Sequence, residues 1–195
     1  MKYILTAIIG YLLGSTTLAI LIGDVFFNRD VRNEGSGNLG AANVARCFGL
    51  KAALHVLVWD ILKCLICLKI GTKLAGGAGL AVAGAACYLG HCFPCLHGFR
   101  GGKGVSVGAA IALIVSWKVF FITIGVFLLA AFLSRRVSVG SISAALALAA
   151  ASFFLAPDVP RIFLGLFAGI LTVYMHKDNI ERLIHGEEKE FRVNK

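Results

Sequence analysis

The sequence predicts an all-α integral membrane protein, with seven transmembrane helices in a single domain over residues 1–195. Three observations predict it. Hydrophobic residues fill 58% of the 195 positions, more apolar surface than a soluble fold can cover. They come in long runs divided by short basic or glycine-rich loops. Lys and Arg gather on one side of the membrane when seven runs are counted as spans. The net charge of +9 points to anionic lipid headgroups and phosphorylated substrates as partners. Nucleic acid is excluded, because no basic and aromatic surface interleaves outside the spans.

Residues 3–23 form the first span. No small-residue cleavage site closes it, so it reads as a retained helix rather than a signal peptide. Residues 24–51 are a polar loop with Arg29, Arg32, Glu34, Arg46 and the run Gly35-Ser36-Gly37-Asn38-Leu39-Gly40. Residues 52–70 are the second span. Residues 74–96 are the third, rich in the small residues that let helices approach closely in lipid. Residues 105–133 read as one long helix or as two short ones joined at Lys118. Residues 134–139 are a basic joint holding Arg135 and Arg136. The span at 140–156 ends at Pro157-Asp158-Val159-Pro160, the last span is 161–175, and a charged tail runs from 176 to 195.

Charge decides the ambiguity. With a split at Lys118 and the N-terminus outside, the inner side holds Arg29, Arg32, Arg46, Lys51, Arg100, Lys103, Arg135, Arg136, Lys177, Arg182, Lys189, Arg192 and Lys195. The outer side holds Lys2, Lys69, Lys73, Lys118 and Arg161, and Lys63 lies within a span. One long helix would reverse the bias, so seven spans are expected, with a cytoplasmic C-terminus. That arrangement puts three motif-like segments, at 34–46, 97–104 and 176–182, on the cytoplasmic side.

The first segment alternates glycines with Ser36 and Asn38, then places Asn43 and Arg46 at helical spacing. Small residues allow close backbone approach, and arginine grips phosphate in a fork. A loop capping the second helix is the plainer reading. The second segment, His97-Gly98-Phe99-Arg100-Gly101-Gly102-Lys103-Gly104, exposes backbone N–H groups around a lysine, the chemistry of a phosphate cradle. A basic membrane-surface loop is its plainer reading. Gly104 follows the lysine where a nucleotide-binding P-loop carries Ser or Thr, which disfavours NTP hydrolysis. The third segment, His176-Lys177-Asp178-Asn179-Ile180-Glu181-Arg182-Leu183, puts His176, Asn179 and Leu183 on one helical face. His176 there is a proton or hydrogen-bond donor, or an interfacial cap.

Asp60 and Lys63 stand at i, i+3 within the second span. Intramembrane charges usually pair, and mutual neutralisation is the leading reading. Ser138 and Ser141 are polar candidates beside Arg135 and Arg136. Cys64 and Cys67 lie within an apolar helix and behave as small hydrophobes. His91, Cys92, Cys95 and His97 have metal-ligand chemistry, yet no metal is expected. No Ser–His–Asp arrangement is present in the sequence and no cysteine has a base nearby, so an acyl-enzyme is not expected. What is left is rich in phosphate grips and poor in nucleophiles. That suits direct transfer between two phosphorylated substrates.

The three segments together resemble the bacterial acyl-phosphate:glycerol-3-phosphate acyltransferases. That family carries Gly-Ser-Gly-Asn-x-Gly-Ala-Thr-Asn-x-x-Arg, matched by residues 35–46. It carries His-x-Phe-Pro-x-x-x-Gly-Phe-Lys-Gly-Gly-Lys-Gly-Val-Ala-Thr, matched by residues 91–107, and His-Arg-x-Asn-Ile-x-Arg-Leu, matched by residues 176–183. The resemblance implies a seven-helix enzyme of the inner (cytoplasmic) membrane, with its active site on the cytoplasmic face. Such an enzyme moves a fatty acyl group from acyl-phosphate to the 1-hydroxyl of glycerol 3-phosphate in phospholipid synthesis. It uses neither metal nor cofactor. By position, the resemblance assigns catalytic roles to His176, Asn179, Lys103 and Ser141. It assigns substrate binding to Ser36, Asn38, Asn43, Arg46, Arg100, Gly101, Gly102 and Gly104. Arg100 stands for a motif lysine and keeps its charge. Ala42 and Val107 stand where the motifs have threonine, which removes two hydroxyls. A divergent paralogue of reduced or altered activity is therefore one alternative. A non-enzymatic transporter or binder of phosphorylated solutes is the other.

Overall fold

Helix is the only regular structure among the described residues, which are 1–191 of the computed structural model. Arg192 and Lys195, placed on the inner side by the charge count, lie outside them. The chain divides into two compact units, Met1–Val107 and Gly108–Phe191.

The first unit opens with α1 (Lys2–Gly14) and the short α2 (Leu18–Ile22). The single helix expected over 3–23 is thus interrupted, and the hydroxyls explain it. Ser15 Oγ donates to the Tyr11 carbonyl at 2.8 Å and Thr16 Oγ1 to the Leu13 carbonyl at 2.7 Å. Thr17 turns extended and caps α2 by accepting from Ala19 N. Three consecutive hydroxyl side chains compete with the helical ladder. A π-helical turn, Gly23–Phe27, and a 3-10 turn, Val31–Asn33, lead into α3 (Ala41–Phe48).

Next comes α4 (Leu50–Cys92), broken at Ala75 and Gly76 into two helical limbs over the segments expected as the second and third spans. Gly76 supplies the turn with φ of 64°, a left-handed conformation that costs glycine little. The limbs meet where Gly71 and Gly79 face each other. A Cβ on Gly71 would stand 2.3 Å from the Gly79 carbonyl oxygen. The second limb ends at Cys92 rather than 96, because Pro94 cannot continue a helix. The first helix α1 lies against it at Gly10 and Gly14, opposite Ala83 and Cys87.

Helix α5 (Val105–Val115) runs from the first unit into the second. The second unit continues with α6 (Trp117–Ser134), α7 (Val137–Leu155), α8 (Val159–Met175) and α9 (Lys177–Ile184). Residues 105–133 are two helices, as the charge count requires, but the break falls at Ser116, not Lys118. Ser116 is extended (φ −170°, ψ 142°) and its hydroxyl accepts from Lys118 N. An N-cap serine, not the charge, ends α5. The joint expected over 134–139 is shorter than that, since α7 begins at Val137 and takes in Ser138. Asp158 caps α8 through Arg161 N at 3.0 Å. The chain bends by 53° between α8 and α9.

Three helical stretches, Lys2–Phe27, α6 and α7, are each long and apolar enough to cross a bilayer, and α8 with α9 makes a fourth as one bent span. Phe121, Leu128 and Phe132 of α6 are 66%, 59% and 81% exposed. Such a face belongs in hydrocarbon rather than water.

Candidate functional site

In the first unit, two loops meet. The loop before α3 is ordered by Asn43, whose Nδ2 donates to the carbonyls of Asn38 at 3.0 Å and Glu34 at 3.1 Å. Its Oδ1 accepts from Ser36 N at 2.8 Å. Asn38 closes the next turn by accepting from Gly40 N, and its Nδ2 donates to the Gly101 carbonyl at 3.0 Å. Leu39 N reaches the same carbonyl at 3.4 Å. The first motif is thereby tied to the glycine-rich loop, as sequence reasoning expected only in outline. Asn38 and Asn43 hold backbone, Ser36 is exposed, and Arg46 is half-buried on α3.

Two of the loop's other cations are matched internally. Arg29 forks onto Glu34, with Nε at 2.7 Å, and Arg32 onto Asp30, with Nη2 at 2.7 Å. These hydrogen bonds hold the Glu34 and Asp30 carboxyls below their ordinary values.

The glycine-rich loop folds over the end of α4. Phe99 N donates to the Pro94 carbonyl and Gly102 N to the His91 carbonyl, at 2.9 and 3.0 Å. A Cβ on Gly102 would stand 2.1 Å from His91 Nε2. One on Gly104, where φ is 81°, would stand 1.9 Å from the Tyr88 hydroxyl oxygen. Tyr88 is fully buried and its hydroxyl donates to the Lys103 carbonyl at 3.5 Å. Lys103 is half-buried and Arg100 exposed. The bareness of the loop is therefore set from below, by two aromatic side chains that fill the space of two absent ones.

Beneath Gly102 lies a group of charges that sequence reasoning saw only in part. Lys63 Nζ is 2.8 Å from Asp60 Oδ1, as the i, i+3 spacing suggested, without hydrogen-bond geometry at either carboxylate oxygen. It donates to the Thr16 carbonyl at 2.7 Å and lies 3.2 Å from His91 Nδ1. His91 Nδ1 is also 3.4 Å from Asp60 Oδ1. Asp60, Lys63 and His91 are all buried. His91, one of four residues weighed as metal ligands, thus turns its ring to a cation and a carboxylate of the same limb pair. Among the described residues no group of three His, Cys, Asp or Glu side chains is placed to hold a metal ion.

The second unit carries the third motif. His176 stands at the α8–α9 bend, buried, with Nδ1 2.8 Å from the Thr172 carbonyl oxygen. Asn179, buried on α9, donates from Nδ2 to Glu188 Oε1 at 2.7 Å. Glu188 also accepts from Arg182 Nε at 2.7 Å, and its carbonyl accepts from Arg136 Nε at 2.8 Å. Burial pushes the Glu188 carboxyl up, while the Ser138 hydroxyl beside it, Asn179 and Arg182 pull it down and prevail. Glu188 escaped sequence reasoning, hidden in a polar tail. Its one signal was Gly186, which turns the chain back with φ of 73°. Ser141 is buried and donates to the Val137 carbonyl of its own helix at 2.9 Å. Of the two positions that lack threonine, Val107 is fully buried and Ala42 half-buried.

These features define an all-helical membrane protein with a basic loop cradle, cornered by glycines and supported on buried side chains. The glycerol-3-phosphate acyltransferase family profile matches residues 4–186. A glycerol-3-phosphate acyltransferase of Finegoldia magna is 32% identical over 198 residues, covering 100% of each chain. The crystal structure of PlsY (YgiH), an integral membrane glycerol 3-phosphate acyltransferase, in its glycerol 3-phosphate form superposes with a TM-score of 0.91 at 36% identity. That match covers 98% of this chain and 96% of the other. Its lysophosphatidic acid form gives 0.87 at 34%, over 98% and 96%. The chain belongs to the glycerol-3-phosphate acyltransferase family, and it is an integral membrane acyltransferase.

Proposed function

We propose that this chain transfers a fatty acyl group from acyl-phosphate to the 1-hydroxyl of glycerol 3-phosphate, releasing 1-acyl-glycerol 3-phosphate and phosphate. The observation that carries it is the tie between the two loops, Asn38 to the Gly101 carbonyl. It sets a glycine-cornered run with Lys103 beside the loop and helix α3 that carry Ser36 and Arg46. Both substrates bear phosphate, and the arrangement supplies amides and cations for such groups. Asn38 and Asn43 serve by shaping their loop, and Ser36, Arg46, Arg100 and Lys103 with Gly101, Gly102 and Gly104 grip substrate. His176 and Asn179 are assigned to the acceptor by their motif positions, and Ser141 by the place it holds in the family resemblance. The hydroxyl attacks the acyl carbon directly, the acyl–phosphate bond breaks, and the phosphate leaves with the proton. Purified protein given both substrates is expected to make lysophosphatidate, with Lys103→Ala reducing the rate roughly a hundredfold, as loss of one charge-stabilising donor does. Wild-type protein that makes none with both substrates present overturns the reading.

We propose further that residues 1–195 form one seven-span domain of the inner membrane, with the N-terminus outside and the site and C-terminus cytoplasmic. The positive-inside count supports it. Cys95 is exposed, Cys47 is half-buried, and Cys64, Cys67, Cys87 and Cys92 are buried, so the test is made in a Cys47→Ser background. A membrane-impermeant maleimide is therefore expected to label Cys95 in inside-out vesicles and to leave it unlabelled in right-side-out ones, with Cys95→Ser as control. Equal labelling from outside overturns the topology.

A further inference from the structure

The glycine-rich loop rests on a buried structure that the reaction itself leaves unused. Three elements of the first unit converge on the Lys63 ammonium: the end of α1 through the Thr16 carbonyl, the first limb of α4 through Asp60, and the second limb through His91. None of the three charged or polar side chains is more than 6% exposed. A charge so placed is costly in a membrane protein unless it is partnered, and apolar residues would fill the same space at no electrostatic cost. Stability alone therefore gives no reason for this group.

Its location gives one. His91 supports Gly102 twice, accepting its N–H at the carbonyl and occupying with its ring the space of a Gly102 side chain. The Lys63 ammonium has only protons to offer, so its hydrogen bond to His91 requires Nδ1 as the acceptor, and Nε2 faces Gly102. The ring is thus fixed in rotation by Lys63, itself paired with Asp60, and limits the height of the loop above.

We infer that Asp60, Lys63 and His91 are positioning residues that set the geometry of the phosphate-binding loop through Gly102. The inference rests on the reading of that loop as a phosphate grip. Displacing a preformed grip weakens substrate binding first, so the effect belongs in KM more than in kcat.

The test is a comparison of variants in purified full-length protein, by steady-state kinetics in glycerol 3-phosphate and by thermal unfolding. The double variant Asp60→Leu/Lys63→Met removes the ion pair whole, and such replacements are commonly neutral or stabilising. It is expected to unfold at or above the wild-type temperature, with KM raised about tenfold and kcat changed less than threefold. His91→Ala is expected to raise KM similarly. His91→Asn, whose Oδ1 stands in for Nδ1 toward Lys63, is expected to recover most of the loss. A stable double variant with wild-type KM overturns the inference, and so does a loss in kcat at unchanged KM. If the double variant does not fold, the His91 pair decides: equal KM values for His91→Ala and His91→Asn overturn it. A wild-type protein without activity would instead strike at the reading of the function, which separates the two failures.

Discussion

Gly102→Ala is expected to cripple acyl transfer, with a fall in kcat/KM of roughly a thousandfold and little change in the helical fold. The added methyl would lie 2.1 Å from Nε2 and 2.5 Å from Cε1 of His91, well inside van der Waals contact. The obstacle is not a flexible side-chain end. The ring is held by Lys63, itself paired with Asp60, and its own backbone carbonyl is bonded to the Gly102 N–H. The loop must therefore rise, and it carries Lys103 and the carbonyl of Gly101 with it. A misplacement of about 1 Å in a group that orients substrate costs on the order of a hundredfold. Here the displacement reaches a cation and several amides at once. Gly98→Ala is the control. Its Cβ would meet nothing within 4 Å, although φ of 65° there adds some strain. Product formation by purified Gly102→Ala and Gly98→Ala, each checked for helical content, measures the contrast. A Gly102→Ala protein of near wild-type rate would show that the loop does not depend on its floor.

The same loop shows how far the residues alone reach. Its glycines, its lysine and the missing Ser or Thr after that lysine are local chemistry, and they were readable as an anion cradle that is not a nucleotide loop. The tie from Asn38 to Gly101 joins positions 63 residues apart, so pattern could suggest that the loops meet without naming the bond. The Asp60–Lys63 pair was legible because helical spacing puts i and i+3 together. His91 was not, because it joins that pair across the turn at Ala75 and Gly76, and local spacing carries no such information. Ser116 illustrates a different miss. Counting charges correctly required a break in 105–133, but a serine hydroxyl that caps the following helix placed it. Hydroxyls likewise broke the first apolar run at Ser15, Thr16 and Thr17, where composition saw one continuous span. Across these cases the apolar content was legible and the polar interruptions were not, because each depends on one side chain finding one backbone group.

Glu188 is the polar group least visible in the sequence, and its removal should be costly. Its carboxylate, 7% exposed, receives Asn179 and Arg182 at 2.7 Å each. Taking one partner from a buried hydrogen-bonded set costs about 1–3 kcal/mol per affected group. Because the Arg182 side chain is 41% exposed, water recovers part of its share, and roughly 2–3 kcal/mol is expected for Glu188→Ala. Main-chain bonds should keep the tail docked, since Arg136 Nε reaches the Glu188 carbonyl and Phe191 N reaches the Arg135 carbonyl at 3.0 Å. The variant should therefore fold, unfold at lower temperature, and bind acceptor more weakly through a loosened Asn179. The pH dependence supplies an independent check. The folded-state carboxyl titrates below its ordinary value of 4.5. Its stabilisation is therefore complete above that value and is lost as pH falls through the lower folded value. Wild-type protein should lose this increment only below about pH 4.5, and Glu188→Gln should lack it at every pH. Glu188→Gln keeps an acceptor for Asn179 but turns an amide N–H₂ toward Arg182, so its unfolding temperature at neutral pH should fall between those of the wild type and Glu188→Ala. Parallel wild-type and Glu188→Gln curves between pH 6 and pH 3 would show that the carboxylate charge contributes nothing, and that shape alone holds α9 to the tail.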